Sequence, residues 1–257
     1  MNEKTTPILV VLLVIAAFAI GSMWTKIQYM QTAPVTQPTP TTAQQPSQPA
    51  AAPSVSLDKV KALFADGFIK FGDANKKILF VEVSDPSCPF CHFAAGKNPE
   101  LAKTSSRFIT VADGGTYNPP VPEMRKLVEA GKASFAWIYS NGHGNGELAT
   151  QALYCAFEKN KFWEAHDVIM SNKGYEAMNT AKADSTALAA LLAPAVDQTF
   201  MKTCLESKKY ADKITRDSQA GQSLGFQGTP YFLINTTPFS GAIDFKTGME
   251  PLVKTLL

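Results

Sequence analysis

Apolar and polar positions fall into three regimes along the chain. Pro7 to Trp24 is an apolar stretch of 18 residues without a charge. At ~1.5 Å per helical residue it just spans a ~30 Å hydrocarbon core, which predicts a membrane-anchoring helix within residues 1–26. Trp24 and Lys26 suit the interface. Ala17-Phe18-Ala19 offers a signal-cleavage alternative, but Ile20, Met23 and Trp24 carry the apolar run past it. From Gln31 to Pro53 there are six prolines, many Thr and Gln, and no charge. Such a segment cannot bury enough apolar surface to fold, so residues 27–56 read as an extended linker. A ligand for a proline-binding module is the other reading of the same composition.

From residue 57 onward the periodicities are those of a folded domain. Val60, Leu63 and Phe64 have helical spacing, with Asp58 as a first-turn acid. Gly67–Phe71 reads as a short strand. Ile78–Ser84, apolar nearly throughout, reads as a central strand covered on both faces. A helix follows Cys88, with Pro89 in its first turn and a break near Gly96 and Pro99. Pro122–Ala130 predicts a helix closed by Gly131, and Ser134–Tyr139 a second core strand. After the glycine-rich turn Asn141–Gly146 the pattern is helical over about 146–225. Leu148, Ala152 and Cys155 share one face there; Phe162, His166, Ile169 and Met170 share another. Tyr231–Asn235 and Ala242–Phe245 read as strands before a last helix. The order predicts an α/β domain, a small mixed sheet with an inserted helical subdomain.

The net charge of +2 creates no field that would recruit nucleic acid. The four cysteines, Cys88, Cys91, Cys155 and Cys204, are too few for a disulfide scaffold. Two of them lie in Cys88-Pro89-Phe90-Cys91, directly after the strand Ile78–Ser84. A Cys-x-x-Cys pair at a helix start favours a reactive thiolate, because the pKa of a cysteine there falls below its usual ~8.5. Cys88, at the edge, is the expected nucleophile, and Cys91, one turn on, the resolving thiol. Two other chemistries share the pattern. Cys88-Pro89-Phe90-Cys91-His92 matches a c-type haem attachment site, with His92 as axial ligand. Zinc would need four ligands drawn from His92, Cys155 and Cys204 besides the pair. Outside those readings His92 is expected to be a partly exposed helix residue, with a modest electrostatic role near the thiolate as an alternative. Gly228-Thr229-Pro230, just before an apolar strand, is a candidate cis X-Pro bond.

Together these motifs resemble the DsbA-like branch of thioredoxin-fold thiol–disulfide oxidoreductases, in its membrane-anchored or secreted bacterial forms. The resemblance runs from about Phe71 to Asn235. It rests on Phe80-Val81-Glu82-Val83-Ser84-Asp85 leading into the Cys pair, on Phe162-Trp163-Glu164-Ala165-His166-Asp167, and on Leu224-Gly225-Phe226-Gln227-Gly228-Thr229-Pro230. It implies a cis Thr229–Pro230 bond against the Cys pair and substrate pairing along the Thr229 backbone. It implies that Glu82 is a buried acid relaying protons to the buried thiol; a solvated strand-edge Glu is the alternative. Asp85 reads as a turn residue beside Pro86.

The chain departs from the strongly oxidising members in two places: Pro-Phe replaces Pro-His, and Thr229 replaces Val. Thr229 resembles the isomerase and reductant-side relatives. Cys155 and Cys204 are candidates for a structural disulfide within the helical insert; a second redox pair or free buried thiols are the alternatives. The resemblance implies an enzyme outside the cytoplasm, held on the membrane by its N-terminal helix, that oxidises cysteine pairs in exported proteins. It implies reoxidation by a membrane quinone reductase of DsbB or VKOR type, a monomeric state, and neither cofactor nor metal. An isomerase or reductase of the same fold is the alternative direction of electron flow.

Overall fold

The computed structural model describes residues 55–65 and 67–257. The expected anchor and the linker up to residue 54 lie outside the described residues. The domain is organised on the strand Ile78–Ser84 (β2), every residue of which is buried. Ala133–Tyr139 (β3) runs parallel to it, with Phe80 opposite Phe135 and Glu82 opposite Trp137. Tyr231–Ile234 (β4) pairs antiparallel on its other side, with Val83 opposite Tyr231. Ile69–Phe71 (β1) and Thr237–Ser240 (β5) complete a five-stranded sheet of order β1-β3-β2-β4-β5.

Period-two alternation explains the two cores. Phe80, Phe135, Trp137, Tyr139, Phe232 and Ile234 face one side, and Leu79, Val81, Val83, Ala136, Ile138 and Leu233 the other. The second side is closed by Leu57–Ala62 (α1), whose Val60 is buried, and by Leu63, Phe64 and Leu224. The first side is covered by the inserted helices. Each fully buried large side chain there contributes about 1.5–3 kcal/mol relative to exposure.

The crossover from β2 to β3 carries Pro89–Ala95 (α2), Pro99–Ala102 (α3) and Pro120–Glu129 (α4). The break expected near Gly96 is present: Gly96 caps α2 in the left-handed region at φ 64°. After β3 come Glu147–Glu158 (α5), Phe162–Ile169 (α6), Asn172–Asn179 (α7), Ser185–Leu191 (α8), Gln198–Glu206 (α9) and Ala211–Ser223 (α10). Trp163 stacks on Phe71 at 5.1 Å, and Phe162 packs on the same ring at 5.3 Å, docking α6 on the sheet. Helix Glu250–Leu256 (α11) ends the chain.

Two expectations are corrected here. No strand forms over 242–245. The last strand, β5, starts at Thr237, because Asn235 and Thr236 make a two-residue hairpin turn with Asn235 at φ 54°. The Asn235 side chain anchors that turn, accepting from the Leu79 amide at 2.9 Å and donating to the Lys77 carbonyl at 3.0 Å. Residues 242–245 leave the sheet and cross to Asn118, whose amide donates to Asp244 at 2.7 Å. His92, expected to be partly exposed, is fully buried. It lies four residues after Cys88 on α2 and so shares its inward face.

Cys155 on α5 and Cys204 on α9 form a disulfide across 49 residues of sequence. Closing a loop of that length restricts the unfolded chain by about 4 kcal/mol. The double variant Cys155→Ala/Cys204→Ala is expected to lose about that much unfolding free energy in urea. An unchanged midpoint would show that the bond adds no stability.

Candidate active site

Cys88 is the N-cap residue of α2, with extended backbone at φ −81° and ψ 124°, and Pro89 follows at the first helical position. The Cys88 carbonyl accepts from the Cys91 and His92 amides at 3.1 and 3.2 Å. Its Sγ lies 3.3 Å from the Thr229 carbonyl oxygen, to which the thiol donates when protonated. The Thr229–Pro230 bond is cis. The C-terminal end of β2 leads into the Cys pair and the N-terminal end of β4 follows Pro230; the antiparallel register, with Val83 opposite Tyr231, puts the two at the same end of the sheet and closes the site.

The two thiols sit in different environments. The Cys88 thiol is lowered to about 6: the hydrogen bond offered by Cys91 is the main cause, outweighing burial, with further help from the Thr229 hydroxyl and His143. The Cys91 thiol is pushed well above its ordinary value, first by burial and then by the neighbouring Cys88 sulfur. Its Sγ accepts from the Asp85 amide at 3.4 Å. At neutral pH the first thiol is therefore ionised and the second protonated. Both are unpaired and buried, whereas Phe90 between them is 45% exposed.

Glu82 lies on the central strand between Trp137 and Phe232, not at a solvated edge. It is fully buried, and neither carboxylate oxygen has a hydrogen-bond partner. Burial raises its pKa to about 7, with the Ser84 hydroxyl opposing the rise. His92 lies with Nδ1 2.8 Å from the Met170 carbonyl and Nε2 2.8 Å from the Pro86 carbonyl. Burial lowers it to about 4, so the ring is neutral and its single N–H donates to one of these two carbonyls, with the ring packed between the segment before α2 and the end of α6.

Asp85 does more than turn the chain. Its carboxylate is fully buried and accepts from the Ser87 amide and hydroxyl at 2.8 and 2.7 Å. It also accepts from the amides of Gly142 and His143 at 2.7 and 2.8 Å. Asp85 thus fastens the glycine-rich turn over the site. Gly142 and Gly146 are required there: a Cβ would strike the Thr229 hydroxyl at the first and the Asp85 carboxylate at the second. The sequence marks the glycine cluster but not what approaches it, so Asp85 and His143 are legible as site residues only once the loop is placed.

Two outcomes test these electrostatics. Thiolate absorbance against pH should show the Cys88 transition near pH 6, the lowered value given above. In Cys91→Ala, with the donated hydrogen bond gone, that midpoint should rise by roughly one pH unit or more. For Glu82 the folded pKa lies above the unfolded one, so its ionisation opposes folding and stability falls as pH rises from 4.5 to about 7. A rise of that size corresponds to about 3 kcal/mol. Glu82→Gln is expected to be more stable than wild type by up to that amount at pH 8, and to lose the advantage below pH 4.5. Parallel urea midpoints for the two proteins at both pH values would refute this.

Solved structures carry the same fold at low sequence identity. BdbD from Bacillus subtilis (oxidised) superposes with a TM-score of 0.55 at 18% identity, covering 80% of this chain and 98% of that one. Alpha-DsbA1 from Wolbachia pipientis gives 0.57 at 18%, covering 77% and 96%. DsbA from Chlamydia trachomatis gives 0.55 at 18%, covering 75% and 92%. Among curated proteins, Na(+)/H(+) antiporter NhaA 3 of Salinispora tropica is 23% identical over 167 residues. That match takes in 64% of this chain and only 21% of the antiporter, so the chain spans about a fifth of that protein's length. The family model Thioredoxin_4, described as thioredoxin, matches residues 122–253, from α4 through the cis proline to the last helix and beginning downstream of the Cys pair. With just over half of its length matched, the chain belongs to this thioredoxin family.

Proposed function

We propose that the protein is a thiol–disulfide oxidoreductase of DsbA type that oxidises cysteine pairs in exported proteins through a Cys88–Cys91 disulfide. The observation that carries this reading is the opposed ionisation of the two thiols beside the Thr229 carbonyl. A thiolate stabilised at Cys88 favours the reduced form of the enzyme, which makes its disulfide an oxidant.

The cycle follows from the geometry. A substrate thiolate attacks Sγ of Cys88 in the disulfide. The Cys88–Cys91 bond breaks, and the electron pair leaves on Cys91. Cys91, whose thiolate is disfavoured by burial, takes a proton, for which Glu82 with its raised pKa is the suited donor. The substrate's second thiolate then attacks its own sulfur in the mixed disulfide and expels Cys88, a good leaving group because its thiolate is stabilised. Two electrons pass from substrate to enzyme; of the two substrate thiol protons, the enzyme keeps the equivalent of one, on Cys91 once Glu82 is reprotonated, and the other goes to solvent because Cys88 stays a thiolate.

Support for a site outside the cytoplasm comes from the 18-residue apolar stretch and from the Cys155–Cys204 disulfide, which suits an oxidising compartment. In this reading the linker holds a monomeric domain off the membrane, exported reduced proteins are its substrates, and a quinone reductase of DsbB or VKOR type reoxidises it. A haem carrier fits poorly: both ring nitrogens of His92 face carbonyl oxygens at 2.8 Å, leaving neither for a metal. Zinc fits poorly too, because Cys155 and Cys204 are bonded to each other. The isomerase or reductase direction keeps one specific observation in its favour, the threonine before the cis proline.

The reduction potential against glutathione separates the two directions. An oxidase should lie well above thioredoxin's value of about −270 mV, whereas a value near thioredoxin's would overturn the oxidase reading. Cys88→Ser should abolish oxidation of a reduced test protein, and Cys91→Ser should accumulate the mixed disulfide.

A further inference from the structure

The crossover segment Lys97–Pro119 contributes no strand to the sheet, yet its side chains reach the redox helix. Its turn Ser106–Phe108 brings Phe108 face to face with Phe93, at 4.2 Å and 12° between planes. Phe90 stands edge-on to both rings, 5.7 Å from Phe93 and 5.8 Å from Phe108. Tyr117 closes the other edge of Phe108 at 5.3 Å. The segment is itself pinned, by the Thr110–Tyr117 bridge and by Asn118 on Asp244. Phe90 is therefore held by buried aromatics while 45% of its own surface faces solvent. Beside it, the Arg107 guanidinium lies over the Phe108 ring at 5.3 Å and is exposed. Arg125 and Arg216 each sit near carboxylates; Arg107 makes no ion pair among the described residues.

We propose that Phe90 and Arg107 form a substrate subsite that selects peptides with an aromatic residue flanking the reactive cysteine and an acidic residue farther along. This rests on the oxidoreductase reading above. Phe90 lies two residues after Cys88 at the start of α2 and is exposed, so it is within reach of a peptide whose sulfur bonds to Cys88. An aromatic neighbour of that cysteine can pack on a ring that is already fixed, so little ordering entropy opposes the contact. Steps of 5.8 and 5.3 Å put Arg107 no more than about 11 Å from Phe90, about three residues of extended chain at ~3.3 Å each. An acidic side chain there meets a cation that, among the described residues, has no ion pair.

The test is single-turnover oxidation of dithiol peptides by the full-length protein in its Cys88–Cys91 disulfide form, followed by acid quench and mass spectrometry. Each peptide gives two electrons to the Cys88–Cys91 disulfide and releases two protons, one taken up with Cys91 and one going to solvent, so no other oxidant is needed. The peptides differ at the residue flanking the first cysteine, phenylalanine or alanine, and at the third residue beyond it, glutamate, alanine or lysine. The flanking residue is placed on either side of the cysteine. Wild type should favour the phenylalanine–glutamate peptide over alanine–alanine by about tenfold, with about threefold of that from the acid. Phe90→Ala should flatten the phenylalanine-to-alanine ratio, and Arg107→Glu should invert the glutamate-to-lysine ratio. Wild-type rates within twofold across the set, or ratios that survive both substitutions, overturn the subsite while leaving the oxidoreductase reading intact. No oxidation of any peptide overturns that reading, and the subsite with it.

Discussion

The site depends on one contact between distant parts of the chain, the 3.3 Å approach of Cys88 Sγ to the Thr229 carbonyl across 141 residues. It exists because β2 and β4 pair antiparallel with Val83 opposite Tyr231. That register delivers the start of α2 and the cis proline to the same end of the sheet. A one-residue slip would turn every β4 side chain to the wrong core and remove Thr229 from the sulfur. The two hydrophobic faces of the sheet, by making such a slip costly, hold the chemistry in place.

Around that contact the domain sorts polar groups by burial. Glu82, Asp85 and His92 are all fully buried, but their partners differ. Asp85 is satisfied by four donors and works as a fastener for the glycine turn. His92 lies between two carbonyls, donating its one N–H to one of them, and packs α2 against the end of α6. Glu82 has no partner for either oxygen, so burial acts on it opposed only through Ser84 and raises its pKa to about 7. The same low-polarity surroundings that lift Glu82 keep Cys91 protonated, while Cys88, given a hydrogen bond by Cys91, ionises. The asymmetry between the thiols belongs to the pair rather than to either residue.

The rest of the domain frames this centre. The inserted helices α5 to α9, tied by Cys155–Cys204, pack into the core on one face of the sheet and supply the Met170 carbonyl beside His92, while α10 gives Ile214 to that core and Ala220 to the one on the other face. On the crossover side, Phe93 and Phe108 form a stacked base under Phe90. One exposed ring beside two buried sulfurs gives the site a surface as well as a reaction centre.

By itself the sequence determined the elements whose signals are local. The apolar run of β2, the Pro89 start and Gly96 stop of α2, the helical block after Gly146 and the candidate cis bond before Pro230 could all be read from residue order. Each depends on neighbours within a few positions, and the Cys pair and Thr229-Pro230 together pointed to the fold. What only the tertiary structure decided depends on contacts far apart in the chain. His92 carries no mark of burial until Met170 and Pro86 converge on it. Glu82 reads equally as an edge or a buried acid until β3 and β4 flank it. Asp85 looks like a turn residue until Gly142 and His143 close on its carboxylate. The strand expected over 242–245 was displaced to Thr237–Ser240 because the Asn235 turn is completed by Leu79 and Lys77, which lie far away in sequence. Burial and hydrogen-bond partners are properties of the assembled sheet, and they shift the titration of Glu82 and His92.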